Sequence, residues 1–571
     1  MKNKKGFTLI ELLAVIVILA IIALITVPTV LNIIVKAKKG ATVDSAYGVE
    51  KAADFYYLGN VGNSNFAETT FTCNGTACTS NLDSNVKLDI RGTVPTSGTI
   101  IVRRNGKVET SNLVINGYSC EKTNGVYNCG GSEEPVAPIL YKDTVLNGAD
   151  PVLDTGMIPV IIGADGTLTK ADLYSEWYDY TNKEWANVVL VSDATRNTYI
   201  NASVGSTINQ LDILGYFVWI PRYKYQIFYD GNILMDQDYN TNTTELINIT
   251  FENKNTTKSN GSLEGEWLTH PAFTFGSEEL NGYWVAKFET TGDATTPTSL
   301  PNIISLREQD VSTQFTTSLK FKDYGIANTD SHMMKNSEWG AVAYLTTSIY
   351  GQGLTEVRIN NSSQYITGCA ATTPATTKAY SEYLNQSNGS EGSYDGCENA
   401  YNTSIGYLAS TTGNITGIYD MSGGAWEYVM GVMEDVANTN IPMSGYNVTY
   451  NSGFNGLYTN NTLKEDGISF PNAKYYDIYN YGTTYRDTDA YSRGKLGDAT
   501  IELGSFTKHT SDNDRPYSTW NKDYAYFVAS SHPWFLRGGY FSHGTGSGLF
   551  AFDHGHGAAG SGSSFRVVLS E

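Results

Sequence analysis

The stretch Gly417-Ile-Tyr-Asp-Met-Ser-Gly-Gly-Ala-Trp-Glu-Tyr428 decides the reading of most of this chain, together with Trp534-Phe-Leu-Arg-Gly-Gly539 and Ser564-Phe-Arg-Val-Val568. Each block sets glycines or small residues beside large aromatics, the composition of tight turns that return into a packed core. Short aromatic segments recur upstream, at Tyr216-Phe-Val-Trp-Ile-Pro-Arg-Tyr223 and Gly282-Tyr-Trp-Val-Ala-Lys-Phe-Glu289, and again at Phe565–Leu569. They read as strands separated by long loops rich in Asn, Thr, Gly and Ser. One segment keeps a helical period, Asn336–Leu345, with Trp339, Val342 and Leu345 on one face and Asn336 or Ser337 as candidate cap. The balance is α+β with much irregular structure. No internal repeat is visible, which removes solenoids and propellers.

Upstream of these blocks, Gly130-Gly-Ser-Glu-Glu-Pro-Val-Ala-Pro138 is punctuated by Gly and Pro and marks a boundary, with a linker over 130–150 and a large domain over 151–571. Residues 58–129 form a smaller head. Within it Asn85–Ile90 and Gly98–Val108 read as strands, and Asn105-Gly106 is a hairpin signal. Ala41–Tyr57 is helix-compatible, with Ala46, Val49, Ala52, Ala53 and Tyr56 on one stripe.

At the N-terminus Lys2, Lys4 and Lys5 precede Gly6, and Leu12–Val35 is uncharged until Lys36, Lys38 and Lys39. That run is long enough to cross a bilayer core of about 30 Å as a helix. Glu11 is the anomaly, because a carboxylate at the end of an apolar helix needs a partner. Cleavage after Gly6 would create an α-amine on Phe7, about one helical turn from Glu11. Pro28 interrupts the span and predicts a kink.

The formal net charge of −20 argues against nucleic acid as partner, since phosphate binding needs Lys/Arg patches and none follows the N-terminal segment. Length and composition predict two or three folded units with a weakly charged, loop-rich surface. The six cysteines fall in local pairs, Cys73 with Cys78, Cys120 with Cys129, and Cys369 with Cys397. An even count in an exported chain favours disulfides over zinc ligands.

Lys5-Gly-Phe-Thr-Leu-Ile-Glu11 resembles the processing site of type IV prepilins. The resemblance implies a leader over 1–6, cleavage between Gly6 and Phe7, N-methylation of Phe7, and Glu11 meeting the amine of a neighbouring subunit. It implies a long pilin helix over 7–57 with its membrane span at 12–35, followed by a small β head. The partners implied are other pilin subunits, the prepilin peptidase and the assembly machinery, with localisation in the cytoplasmic membrane and then on the pilus or cell surface.

Gly417–Tyr428 resembles the central block of the formylglycine-generating-enzyme (sulfatase-modifying-factor) family, and Trp534–Gly539 with Ser564–Val568 resembles its closing block. Glu338-Trp339 matches that family's helix less closely. The implied fold is a C-type-lectin-like α+β unit. The family's oxygenases bind copper through two thiols near the closing blocks, yet no cysteine follows Cys397 here. His554-x-His556 with His543 or His532 has no recognisable set of supporting residues for a metal. The expectation is therefore no catalysis, no cofactor and no metal.

Between the closing blocks, Tyr540–Ser564 contains no Lys, Glu, Gln, Met or Trp. Every residue in it can be encoded by a codon ending in a pyrimidine, and most lie within reach of an Asn codon by changing only its adenines. The stretch resembles the variable region of diversity-generating-retroelement target proteins. On that resemblance Leu536–Gly539, Gly548–Phe552 and Ser564–Leu569 carry the fold, while the intervening positions are exposed and vary. Tyr540, Phe541, Ser542, His543, Thr545, Ser547, Asp553, His554, His556, Ser561 and Ser563 are the candidate ligand-binding residues, of the kind that adaptable binding faces use. The functional expectation is a minor or tip pilin that binds a surface ligand (glycan, protein, cell or phage). Two alternatives stand beside it: a structural pilin with a decorative domain, and an exported oxidoreductase of the formylglycine-generating type.

Overall fold

The computed structural model describes residues 40–62, 66–123, 125–131, 140–227, 246–261, 266–374, 394–433, 452–455, 458–459, 462–463, 468–483, 493–500 and 523–570. Gly6, Phe7, Glu11 and the expected span at 12–35 lie outside these residues. Among the described residues no helix is long and apolar enough to cross a membrane. The chain divides into two compact units, Met1–Ile139 and Leu140–Glu571.

In the first unit a helix over 40–60 packs on a six-stranded antiparallel sheet, ordered Cys78–Ser80, Thr69–Cys73, Ser97–Val102, Val108–Ile115, Tyr118–Thr123 and Val126–Gly131. The predicted stripe faces the sheet, with Ala46, Val49, Ala52 and Ala53 buried and Tyr56 packed at the core margin. Small side chains at these positions let the helix lie close to the sheet. The Asn105-Gly106 hairpin is present: Gly106 takes a left-handed φ of 83°, and its N–H donates to the Arg103 carbonyl. Asn85–Ile90 is not a strand, because only Lys87 makes a bridge, to Thr79. Its alternation serves instead to bury Leu88 while the chain turns. Cys73–Cys78 and Cys120–Cys129 are disulfides between directly opposed strand residues.

The second unit begins earlier than the expected linker allows. Leu146 and Ala149 are buried in its main core, and the Asp143 carboxylate accepts the Tyr180 amide at 2.9 Å, so residues 140–150 are part of the fold. Its largest sheet has eight strands, ordered Thr207–Ile208, Leu168–Lys170, Ile158–Ile162, Asn187–Val191, Ile213–Pro221, Gly282–Ala286, Val567–Ser570 and Asp330–Met333. A second sheet runs Asp477–Tyr479, Trp426–Met433, Trp534–Gly538 and Gly548–Gly555, with Ser563–Phe565 paired parallel to the Trp426 strand. The aromatic segments read from sequence are central strands here: Trp219 and Trp284 face each other across the first sheet, ring centroids 5.1 Å apart. Cys369–Cys397 closes the third disulfide, leaving no free cysteine.

Helix Asn336–Thr346 is buried on every side, not on one face only. The Trp339 indole donates to the Leu549 carbonyl at 2.7 Å, and the Tyr223 hydroxyl donates to the Ala341 carbonyl at 2.6 Å. Gly340 is required by contact, since a Cβ there would lie 2.0 Å from the Gly497 oxygen. The cap is one residue earlier than expected: Lys335 is the N-cap, and its amide donates to the Glu338 carboxylate at 2.8 Å.

The two sequence blocks meet inside this unit. Arg566 is fully buried, with Nε 3.0 Å from Glu427 Oε2 and Nη2 2.5 Å from Oε1. Its remaining donors reach the Ala286 and Tyr419 carbonyls, both at 2.9 Å. Glu289 and Asp420 share this interior. Burial, then the charges of Glu427 and Asp420, push the Glu289 carboxyl well above its ordinary value, and burial raises Glu427 to about 7.

Two outcomes follow from this buried cluster. Arg566→Gln strands the Glu427 carboxylate and is expected to cost about 3–5 kcal/mol in chemical denaturation. A carboxyl with a raised folded value keeps its proton where the unfolded chain has lost it, so stability falls as pH climbs above the ordinary 4.5. Glu289→Gln should therefore melt higher than the wild type at neutral pH, with the difference closing as pH falls toward about 4.5.

Candidate functional site

The Trp534 and Gly548 strands form a hairpin whose inward residues are fixed by packing. Phe535, Phe550 and Phe552 are buried, and the register pairs Phe535 with His554 and Leu536 with Asp553. The loop between the strands is shaped by backbone bonds, His543 N–H to the Tyr540 carbonyl at 2.9 Å and Gly546 N–H to the His543 carbonyl at 2.9 Å. Two glycine pairs set its base. Gly423, Gly424, Gly538 and Gly539 all have φ between 72° and 87°. The Gly423 amide donates to the Gly538 carbonyl, and the Phe541 amide donates to the Gly424 carbonyl.

On this frame the candidate side chains fall along one ribbon of ring contacts. Arg307 lies over the Tyr365 ring at 3.9 Å, and Tyr365 meets Tyr540 hydroxyl to hydroxyl. Tyr540 packs on Phe541 at 4.3 Å and on His543 at 5.5 Å. His543 touches Trp426 and Tyr524, Tyr524 lies 4.9 Å from Tyr526, and Tyr526 lies 5.5 Å from His554. His554 stacks on His532 at 4.4 Å, and His532 lies 3.8 Å from His556. The structure thus brings Tyr540, Phe541, His543, His554 and His556 together through Tyr365, Tyr524, Tyr526 and His532. Sequence reading missed Tyr365, Tyr524 and Tyr526 as site residues because no motif marks them and Tyr365 lies far upstream, and it weighed His532 only as a metal ligand. The aromatic spacing of Tyr524 and Tyr526, on one side of an extended segment, was the available signal.

The expectation of fully exposed candidates needs correction. Tyr540, Phe541, Ser542, His543, Asp553, His554, His556 and Ser563 are half-buried, and Ser561 is exposed. The rings shield one another, which is why they are not free. Ser547 is buried, its hydroxyl donating to the Tyr540 carbonyl at 2.7 Å, so it braces the loop from inside. Thr545 lies in the turn Gly544–Gly546. The Ser561 carbonyl accepts from Arg307, and Ser563 pairs with Trp426 in the strand register.

Electrostatics differ along the ribbon. Burial, then its hydroxyl contact with Tyr540, raises the Tyr365 phenol above its ordinary value. Burial, then the charges of His554 and His556, lowers His532 to about 4. Burial also lowers His556, whose Nδ1 lies 3.1 Å from the Ser531 carbonyl and acts as the donor there. His532 stacks on His554, and the His556 ring meets His532 tilted by 31°. Among the described residues no group of three or more His, Cys, Asp or Glu side chains is placed to hold a metal ion. Away from the ribbon, two clefts open on the second unit. One of about 590 Å³ is lined by Phe275, Lys322, Asp330 and Lys474, and one of about 310 Å³ by Trp177, Trp185 and Tyr407.

Residues 1–27 match the family model for the prokaryotic N-terminal methylation motif. Over that segment the chain is similar to type IV pilin-like precursors, a signal for processing, for assembly with pilus machinery and other pilins, and for a membrane-anchored and then surface location. None of the curated proteins matches the chain.

The histidine stack yields a solution test. In a protein carrying isotope-labelled histidine, His532 is expected to titrate near pH 4. His554→Ala removes one of the opposing charges and should move that midpoint upward; an unchanged midpoint would show that His554 does not act on it.

Proposed function

We propose that the protein is a minor or tip pilin whose second unit binds a surface ligand, without catalysis, through the ribbon from Tyr365 to His556. The observation that carries this reading is the division of labour along Tyr540–Ser564. Leu549, Phe550, Ala551 and Phe552 are buried in the core, whereas Tyr540, Phe541, His543, Asp553, His554 and His556 are only half-buried. A frame held by buried phenylalanines and backbone bonds can keep its shape while the outward side chains change. That is the property a retroelement-diversified binding face needs. The proposed C-type-lectin-like, sulfatase-modifying-factor-type fold is supported by the direct pairing of the two family-like blocks, Glu427 against Arg566 and Trp426–Tyr428 against Ser563–Phe565.

The non-catalytic reading is supported by the thiols. All six cysteines lie in disulfides, so no free thiol is present to act as a copper ligand of the kind the oxygenase members use. Rings also suit binding in themselves: Tyr, Phe and His present rigid contact area with little rotamer entropy to lose.

Two measurements bear on this. Replacing Phe541, His543 and His554 together by Ala is expected to abolish adhesion to the ligand-bearing surface while leaving the melting temperature within a few degrees. Loss of the fold instead would place those rings in the core and refute the face. The encoding genome should carry a reverse-transcriptase gene and a near-copy of the 540–569 coding sequence, with adenines at the differing positions. A genome lacking both sinks the diversification claim while leaving the binding claim to the first measurement.

A further inference from the structure

The smaller of the two clefts, about 310 Å³, falls at the low end of the range, roughly 300–1,000 Å³, in which small-molecule sites lie. Its aromatic lining comes from three places in the chain. Trp177 lies on the loop after strand Leu168–Lys170, Trp185 on the segment entering strand Asn187–Val191, and Tyr407 in the turn Gly406–Ala409. Between the two tryptophans, Asp179 and Glu184 exchange amide and carbonyl bonds, both at 2.8 Å, which fixes that loop. The Tyr407 hydroxyl donates to the Ala164 carbonyl, and the Trp185 indole donates to the Tyr350 carbonyl at 2.8 Å, so both rings are held by their polar ends.

Glu184 is the only charged residue in this lining. It is exposed, and among the described residues its carboxylate makes no hydrogen bond or ion pair. The polar side chains of the lining are already engaged within the protein. Asn187 Oδ1 accepts from Lys287 at 3.0 Å, while its amide donates to the Trp185 and Thr416 carbonyls. Asn414 Oδ1 accepts from the Thr412 and Thr416 hydroxyls, and its amide donates to the Lys183 carbonyl. Burial pushes the Lys287 amine well below its ordinary value, which weakens the positive charge behind Asn187.

We propose that this cleft binds a quaternary ammonium group of the choline type, with its methyls against the Trp177, Trp185 and Tyr407 rings and its charge facing Glu184. An anion would meet Glu184 and no basic residue of the lining. A sugar or a primary amine carries O–H or N–H groups that would lose water here and find their partners already engaged. A methylated ammonium has no N–H to satisfy. Ring faces attract it, and a single carboxylate at the rim completes its surroundings. The cleft shares no residue with the ribbon from Tyr365 to His556, so the two sites stand or fall separately.

The test is isothermal titration calorimetry on the full chain in a maltoside detergent, whose headgroup carries no ammonium. The probes are choline and its neutral carbon isostere, 3,3-dimethylbutan-1-ol. Choline should bind roughly tenfold more tightly than the isostere, a margin set by attraction between cation and rings. Glu184→Gln alters an exposed side chain with no internal bond. It should melt as the wild type does and weaken choline about threefold, leaving the isostere unchanged. Trp177→Leu keeps apolar bulk and should abolish the preference for choline. Glycerophosphocholine, the lipid headgroup without its chains, separates the sources of the ligand. Affinity at least equal to that of choline assigns the site to a membrane headgroup, and weaker binding assigns it to the free cation. Equal affinity for choline and the isostere, no binding of choline, or unchanged choline affinity in Glu184→Gln overturns the proposal.

Discussion

Arg566 stands where the chain passes from one sheet of the second unit to the other. Phe565, just before it, pairs with Tyr428 in the smaller sheet, and Val567, just after it, pairs with Met333 in the larger. A residue at such a crossing has its backbone committed on both sides, so its side chain must settle in the interior between the sheets. Removing a guanidinium from water costs several kcal/mol, and only a matched anion with saturated hydrogen bonding offsets that. Glu427 supplies the anion, and the Ala286 and Tyr419 carbonyls take remaining N–H groups. The pair therefore acts through position more than through net energy. Any other placement of the last strand would leave two buried charges unmatched.

The glycine pairs follow from the same junction. With Glu427 fixed, the chain just before it must turn sharply under the hairpin, and Gly423 and Gly424 take left-handed conformations that a side chain would strain. Gly538 and Gly539 do the same on the facing segment. Because Gly423 donates to Gly538 and Phe541 donates to Gly424, the hairpin loop is hung from the block that holds Glu427. The orientation of Tyr540 and Phe541 thus traces back, through backbone bonds, to a charge pair in the core.

How much of this was legible in the sequence depended on whether a feature was local. The stripe from Ala46 to Ala53, the Asn105-Gly106 turn, the aromatic strands and the three cysteine pairs each express a short-range constraint, and each was readable. Asn85–Ile90 alternates as a strand would, yet alternation says nothing about whether an edge remains to pair with, and only Lys87 finds one. The helix at Asn336 looked one-sided because its other faces carry Gly340, Ala341 and Ala343, small residues that permit close packing without announcing it. The ribbon was half legible. Its residues between Tyr540 and His556 stand out by composition, whereas Tyr365 joins from a distant loop with a left-handed φ of 59° that no local motif predicts. Exposure was misjudged for a related reason: a list of aromatic residues does not reveal that the rings cover one another.

That mutual covering bears on how a face of this kind tolerates change. The turns through His543 and Gly546 are held by main-chain donors and acceptors, and Phe550 and Phe552 anchor the following strand without help from the outward side chains. Within the Tyr540–Ser547 turn Ser547 behaves differently, since its hydroxyl bonds the Tyr540 carbonyl from a buried position. A substitution at Phe541 or His554 removes ring contacts worth roughly 0.5–1.5 kcal/mol each, small beside the backbone and core terms that set the loop. A substitution at Ser547 instead removes one of the two donors to the Tyr540 carbonyl, at a buried position packed tightly against Gly539. The loop therefore separates positions that can change from one that resists change, and the separation follows from where each hydrogen bond begins and ends.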